Sequence, residues 1–162
     1  MLLSQQNQSQ EMADIQANLR IRALQLLTRR DHSRAELKSK LSADAESVEQ
    51  LDAILDRLES ERLLSDHRYA SQRVIARSRR YGNGRLAQEL RQRGVSDDDI
   101  ASALPEAGNE TERCHAVWAR KFTHSPKDVA ERAKQTRFLQ YRGFSSEAIK
   151  ETLRQAAQES EL

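Results

Sequence analysis

The sequence predicts an all-α protein: three tandem three-helix repeats that form an elongated, curved array, with no strands. Five glycines and two prolines in 162 residues are too few for the frequent turns of a sheet protein. Leucine and isoleucine recur four residues apart, which places them on one face of a helix. The same pattern returns after 49 residues, and a fixed period of this kind is typical of repeat architectures.

Two short runs set the register of the repeat. Residues 93–96 (RGVS) and 142–145 (RGFS) lie 49 positions apart, and Tyr69 and Trp118 share that offset. Twelve further positions follow it, and eleven of them are Leu or Ile. These twelve are Leu37, Leu41, Leu51, Leu55, Leu86, Leu90, Ile100, Leu104, Gln135, Leu139, Ile149 and Leu153.

Three longer helices open the repeats, and we expect them over about residues 19–29, 66–80 and 110–122. In the first repeat, Ser33 is a candidate N-cap for the second helix. In the second repeat, residues 82–84 (GNG) lack the Lys-Ser/Thr of a phosphate loop, so we interpret them as a flexible break between helices. In the third repeat, residues 125–128 (SPKD) are expected to open a helix with Pro126 in its first turn.

Each second helix needs a stop before the third begins. Gly94 and Gly143 are candidates for the left-handed residue that follows a helix, whereas the first repeat has Ala45 there and its turn should differ. The third helices then begin at serines that share the 49-residue offset: Ser47, Ser96 and Ser145.

These elements divide the chain into a tail and three domains. Residues 1–18 have neither a basic nor an apolar segment of a signal peptide, so we interpret them as a mobile polar tail. The predicted repeats span residues 19–64, 65–106 and 107–162, with hinges near Ser65 and between residues 104 and 109.

Composition excludes several classes of protein. A single cysteine, Cys114, excludes a disulfide framework and fits a reducing cytoplasm, which is the predicted location. No apolar run approaches the length of a membrane span. The net charge of +2 by itself indicates no particular partner.

The small net charge conceals an alternation along the chain. Residues 19–42, 68–93 and 113–142 carry net charges of +5, +7 and +6. Residues 43–67 and 94–112 each carry −6, and the two ends carry −2 each. Such basic blocks, recurring in all three repeats, favour an anionic partner over three merely solvated faces.

Catalytic patterns are missing from the sequence. The four histidines show no metal-ligand spacing, and Cys114 and His115 are adjacent, which places them on different faces of a helix. Residues 97–99 (DDD) are better explained as a helix start that complements the helix dipole. We therefore predict a non-enzyme with no cofactor and no metal site.

Both DNA phosphates and acidic protein surfaces qualify as the anionic partner. Tyr81 and Tyr141 are the nearest aromatic residues to the basic blocks, too few for sequence-specific reading of single strands. No helix carries a pattern specific enough for reading bases in duplex DNA. The acidic third helices either neutralise the basic ones or keep the opposite face off nucleic acid.

Four segments, taken together and in order, resemble the RecX regulatory family. They are residues 31–41 (DHSRAELKSKL), 63–70 (LLSDHRYA), 82–95 (GNGRLAQELRQRGV) and 137–145 (RFLQYRGFS). The resemblance covers about residues 19–155. Two positions depart from the family pattern, since Ser65 replaces the first Asp of a Leu-Asp-Asp run and Arg62 stands where Gly is frequent.

This resemblance implies a non-enzymatic modulator of the recombinase RecA. Family members bind the RecA filament on single-stranded DNA and inhibit its ATP hydrolysis, strand exchange and coprotease activity. The protein would then be a monomer whose basic faces meet RecA or bind single- and double-stranded DNA non-specifically. The alternative is a non-specific DNA-binding protein without an obligatory recombinase partner. The candidate binding residues are Arg73, Arg77, Arg80, Arg85, Arg91, Arg93, Arg132, Lys134, Arg137 and Arg142.

Overall fold

Nine α-helices and no strand make up the computed structural model, which describes residues 2–162. This confirms the all-α prediction. The helices are α1 (Leu2–Arg29), α2 (Arg34–Leu41), α3 (Val48–Ser60), α4 (Asp66–Arg77), α5 (Asn83–Gln92), α6 (Asp97–Ala103), α7 (Glu110–Lys121), α8 (Val129–Tyr141) and α9 (Ser146–Ser160). Short 3-10 helices, Ser42–Asp44 and Leu104–Ala107, follow α2 and α6. Within residues 2–162, no helix is long and apolar enough to cross a membrane.

The chain forms two compact units. The first comprises the residues up to Tyr69 together with Arg93–Val95, and the second comprises Ala70–Gln92 and Ser96–Leu162. The three domain ranges given above for the repeats stay a prediction.

Helices α1, α2 and α3 enclose the core of the first unit. Buried leucines dominate this core, which consists of Leu19, Ala23, Leu37, Leu41, Leu51, Ile54, Leu55, Leu58 and Leu64. Helix α1 begins well before the predicted residue 19 and includes residues 2–18, so the predicted start of the first helix is wrong, and the mobility of this segment stays a prediction. These residues contain no Gly or Pro and are rich in Gln, Leu, Met and Ala, so nothing stops the helix. Their side chains are nonetheless exposed, apart from the half-buried Ile15, and Met1 lies outside the described residues.

The connection from α3 to α4 is hydrogen-bonded throughout. Arg62 adopts a left-handed conformation, with φ of 60°, which explains why glycine suits this position. The Leu63 N–H donates to the Leu58 carbonyl at 2.9 Å, which is the 6→1 hydrogen bond of a Schellman motif. The Ser65 Oγ accepts the Arg68 N–H at 3.1 Å, so this serine caps α4 as an aspartate would.

The 49-residue register corresponds to structurally equivalent positions. Of its twelve positions, Gln135 and every Leu or Ile except Leu104 are buried, and Leu104, which starts a 3-10 helix, is half-buried. The three offset serines all cap helices by accepting an N–H three residues ahead, at 3.1 to 3.2 Å. Gly94 and Gly143 both have positive φ, as predicted. In place of a glycine turn, the first repeat has the 3-10 helix and an extended Ala45.

The second unit contains α5 to α9 and the part of α4 from Ala70 onward. One core cluster of this unit packs α7, α8 and α9 together around Cys114, Val117, Trp118, Leu139, Phe144, Ala148, Ile149, Leu153 and Ala156. Gln135, the polar exception in the repeat register, is 3% exposed and accepts the Trp118 indole N–H at 2.7 Å. Trp118 takes the place of Tyr69 in the register, and Gln135 supplies the acceptor that the buried indole N–H needs.

Helix α8 begins later than predicted. Residues 125–128 precede it, because Asp128 rather than Ser125 is the N-cap and accepts the Glu131 N–H at 2.8 Å. The Glu131 carboxylate accepts the Lys127 N–H at 2.8 Å in return. Pro126 therefore lies in the loop and not in the first helical turn.

The glycine run between α4 and α5 is a site of close packing, so its interpretation as a flexible break is wrong. The Gly82 N–H donates to the Arg142 carbonyl at 2.8 Å, and the Gly84 N–H donates to the Gly143 carbonyl at 3.1 Å. A Cβ on Gly82 would lie 2.4 Å from backbone atoms of Gly143 and Phe144. Two backbones meet here at a distance that only glycine allows.

Candidate anion-binding cleft

A cleft of about 760 Å³ opens in the second unit, and we call it the basic cleft. Its residues come from the turn after α4, from α5, from the last turns of α7, and from the end of α8. They are Arg79, Arg80, Tyr81, Arg85, Val117, Arg120, Lys121, Phe138, Tyr141 and Arg142.

The charge of the basic cleft is of one sign. Six of its ten residues are cationic and none is acidic. Arg85 has a carboxylate nearby, since its Nε lies 3.5 Å from Glu89. For the other five cations, no carboxylate of residues 2–162 comes within 4.0 Å. Such a one-signed concave surface raises the local concentration of anions.

Backbone hydrogen bonds fix the walls of the basic cleft. The Gly82 and Gly84 contacts join the start of α5 to the end of α8. Arg113 of α7 holds the turn after α4 by donating to the carbonyls of Ser78, at 3.1 Å, and Tyr81, at 2.8 Å. Burial lowers the pKa of Arg113, although the nearby Glu110 carboxylate opposes this.

Glu110 connects two helix starts beside the cleft. Its Oε1 accepts the Asn83 N–H at 3.0 Å and the Ser145 N–H at 3.3 Å, and its Oε2 accepts the Ser145 hydroxyl at 2.9 Å. A carboxylate at the N-terminal ends of α5 and α9 complements both helix dipoles. The cleft therefore has a preformed frame, because its walls are joined to the same few polar groups.

Aromatic rings lie among the cations. The Tyr81 ring is covered by guanidinium groups of Arg85, at 4.2 Å, Arg77, at 4.6 Å, and Arg142, at 5.6 Å. Phe138 contacts Arg142 at 5.2 Å. Tyr141 differs because its side chain is 79% exposed and, among residues 2–162, only the Arg85 guanidinium lies over its ring, at 5.6 Å.

Only some of the residues predicted from the sequence reach this cleft: Arg80, Arg85 and Arg142. Arg73 and Arg77 instead converge on Glu89, the single acidic residue of the basic block 68–93. Arg77 makes two hydrogen bonds to that carboxylate, at 2.7 and 2.8 Å, and Arg73 lies 3.9 Å from it. Burial alone would raise the pKa of Glu89, but these arginines more than offset it and the pKa is lowered.

The other predicted cations are dispersed. In the second unit, Arg91 pairs with Asp97 at 2.9 Å, which links the end of α5 to the start of α6. Arg132, Lys134 and Arg137 are exposed on α8 and do not line the basic cleft.

Arg93 belongs to a carboxylate-centred cluster in the first unit. Glu36 lies 3.6 Å from Arg93, 2.5 Å from Arg30 and 3.8 Å from Lys40. The hydrogen bond from Arg30 lowers the pKa of Glu36 against the effect of burial. Cations that share one carboxylate are less available to an external anion than those in the basic cleft.

Three cations of the cleft were not among the candidates from the sequence: Arg79, Arg120 and Lys121. All three lie in basic blocks, and Arg120 and Lys121 form the basic last turn of α7. The only signal for them in the sequence was their position within the basic blocks. That α7 ends beside the turn after α4 depends on tertiary packing.

Residues 2–162 contain no group of three His, Cys, Asp or Glu side chains that could hold a metal ion. The Cys114 thiol is buried, and burial raises its pKa to about 11, partly countered by a hydrogen bond with Thr152. Such a thiol is almost wholly protonated at neutral pH and is a poor nucleophile.

The fold and the cleft define a class of protein, an all-helical protein of small three-helix domains with a cationic surface. Two family models match the chain: RecX, second three-helix domain, over residues 65–104, and RecX, third three-helix domain, over residues 109–153. The chain belongs to the RecX family of regulatory proteins.

Similar proteins span most of the chain. The Regulatory protein RecX of Ralstonia nicotianae is 47% identical over 133 residues, which is 82% of this chain and 84% of that protein. The Regulatory protein RecX of Herminiimonas arsenicoxydans is 40% identical over 153 residues, covering 93% and 99%. A crystal structure of regulatory protein RecX is similar with a TM-score of 0.74 at 28% identity, covering 86% of this chain and 73% of that one. A crystal structure of RecX from Lactobacillus salivarius shares the fold, with a TM-score of 0.77 at 21% identity over 90% of this chain and 98% of that one.

Proposed function

We propose that this protein binds RecA filaments and inhibits the recombinase, ATPase and coprotease activities of RecA, with auxiliary binding of DNA through its basic cleft. Family membership carries this proposal, because the chain is 47% identical to a protein named as the regulatory protein RecX. The protein would act as a monomer in the cytoplasm, during DNA repair, homologous recombination and the SOS response.

The charge of the basic cleft supports contact with a nucleoprotein filament. A filament presents regularly spaced phosphates and acidic protein surface. The six cations of the cleft, five of them with no carboxylate of residues 2–162 within 4.0 Å, suit either. A chain of several small helical domains offers several modest contacts to a partner that itself repeats. Linked contacts of this kind add through effective concentration.

The test is a titration of the full chain into RecA assembled on single-stranded DNA with ATP. We expect substoichiometric protein to slow ATP hydrolysis, since one bound molecule would restrain neighbouring protomers. An unchanged rate at equimolar protein would contradict the proposal.

Charge reversal locates the binding face. Arg79→Glu with Arg80→Glu should weaken inhibition, because both side chains are exposed in the basic cleft and neither is paired with a carboxylate. Lys127→Glu with Lys150→Glu is the matched control, since it changes the net charge equally at exposed residues outside the cleft. Equal loss of inhibition in both variants would remove the cleft from the proposal and leave RecA binding itself standing.

A second function is non-specific DNA binding without an obligatory recombinase partner. The observation that favours it is again the cleft, whose cations need only phosphates. It predicts tight binding to naked DNA together with an unchanged RecA ATPase rate in the titration above. A nearly flat salt dependence of DNA binding would argue against it.

A further inference from the structure

We propose that the basic cleft binds a single strand of nucleic acid, with the exposed ring of Tyr141 as the surface on which a base stacks. This inference rests on the auxiliary DNA binding of the proposed function and specifies which form of nucleic acid the cleft takes. Positive grooves lined with aromatic rings are the arrangement by which proteins hold single strands without reading sequence.

The charge of the basic cleft suits a polyanion. Five of the six cations have no carboxylate of the described chain within 4.0 Å, so phosphates would not displace an existing ion pair there. The cleft volume of about 760 Å³ is of the size that encloses a ligand. Concave shape and unpaired charge together favour a polyanion.

The two tyrosines differ in exposure. Tyr81 is half-buried, and the guanidinium groups of Arg77, Arg85 and Arg142 already lie over its ring, at 4.6, 4.2 and 5.6 Å from its centroid, so a base would compete with them for this ring. Tyr141 stands at the end of α8 with 79% of its side chain exposed. Stacking on this ring would bury apolar surface that is now in water, and every base has a face that can stack.

The frame of the cleft holds Tyr141 and the cations in place before a strand binds. The hydrogen bonds from Gly82 to Arg142 and from Gly84 to Gly143 fix the end of α8 against the start of α5. Tyr141 immediately precedes Arg142, so its backbone is held even though its ring is exposed. The stacking surface and the phosphate-binding cations are therefore positioned together before a strand binds, which lowers the entropic cost of binding.

An acidic peptide would satisfy the cations equally well but gives the exposed ring no role. The two ligands are distinguished by what Tyr141 contributes. A strand gains from both the charges and the ring, whereas a peptide carboxylate gains from the charges alone. Duplex DNA likewise keeps its bases stacked on each other and cannot offer one to Tyr141.

The test measures binding of a fluorescent oligothymidine of about 12 nucleotides to the full chain by anisotropy, without RecA. Tyr141→Ala should weaken binding by about 5- to 100-fold, and Tyr141→Phe should restore it, because the aromatic face rather than the hydroxyl is required. Binding of a duplex of the same length should be almost unaffected by either change. Helical content and melting temperature should not change, since the side chain is exposed.

Two results would overturn the proposal. One is full-strength oligothymidine binding by Tyr141→Ala, and the other is displacement of the oligonucleotide by poly-glutamate as readily as by unlabelled oligothymidine. The second would identify an acidic peptide as the ligand class. The binding assay contains no RecA, so it is independent of the ATPase titration. Strand binding without inhibition of the ATPase would refute the proposed function and leave this inference standing. Inhibition of the ATPase without strand binding would refute this inference and leave RecA inhibition standing.

Discussion

Arg62 shows how one residue records a departure from the family pattern. It occupies the residue after the C-cap of α3 with φ of 60°, a region where a side chain crowds the backbone. The Schellman hydrogen bond from Leu63 to Leu58 is nonetheless intact, at 2.9 Å. The family's glycine thus marks a backbone requirement that this chain meets with strain.

We expect Arg62→Gly to raise the free energy of unfolding by about 0.5–1 kcal/mol, because glycine adopts the left-handed conformation without a Cβ clash. Equilibrium urea unfolding measures the change. Arg62→Ala is the matched control, since it removes the same exposed side chain and keeps the Cβ. A glycine variant no more stable than the alanine variant would contradict the assignment of strain.

Among single residues, the sequence predicts burial better than it predicts pairing. The 49-residue register identified eleven apolar positions, and ten of them are buried. It could not show that Gln135 serves the Trp118 indole, because the pattern scores a polar residue as a break. Nor could it show that Arg73 and Arg77 converge on Glu89, since ion pairing between helices depends on their packing.

At the scale of elements, the serine caps of the repeat register were predictable from local sequence, whereas helix length and the N-cap of α8 were not. A serine N-cap accepts a hydrogen bond from the N–H three residues ahead, so it can be recognised within one short segment. All three offset serines cap their helices in this way. The start of α1 was missed because a polar segment without Gly or Pro fits a tail and an exposed helix equally well. The role of Gly82 and Gly84 was missed because they pack against Gly143 and Phe144, which follow α8 and lie about 60 residues further along the chain.

Gly82 lies where the start of α5 packs against the end of α8, two elements that form the walls of the cleft. Gly82→Ala should lower the free energy of unfolding by about 2–3 kcal/mol, since its Cβ would meet backbone atoms of Gly143 and Phe144 at 2.4 Å and backbone cannot move aside cheaply. Gly84→Ala is the control, because its Cβ would come only to 3.1 Å from the Gly143 carbonyl and alanine favours the helix. We expect that variant to stay within about 1 kcal/mol of the natural chain in the same denaturation experiment. Equal losses in both would mean that the close approach at Gly82 is not what holds α5 to α8.

Across the whole molecule, charge is arranged rather than accumulated. The net charge of +2 is too small to attract a polyanion from a distance, yet the basic cleft holds six cations and no carboxylate. Binding strength should therefore report local contacts with phosphates. The alternating blocks of the sequence indicated an anionic partner. In the folded chain some of these cations share Glu36 or Glu89, others lie in the cleft, and Arg85 does both.

This arrangement predicts the salt dependence of single-strand binding. If the six cleft cations each neutralise one phosphate, the slope of log K against log salt should be about −4. Arg79→Glu with Arg80→Glu should reduce its magnitude by about 1.5, because two contacts are lost. Lys127→Glu with Lys150→Glu changes the net charge by the same amount at residues outside the cleft and should leave the slope unchanged. Affinity of the oligothymidine measured across a salt series decides between these outcomes, since a slope that falls equally in both variants would mean that binding follows net charge and not the cleft.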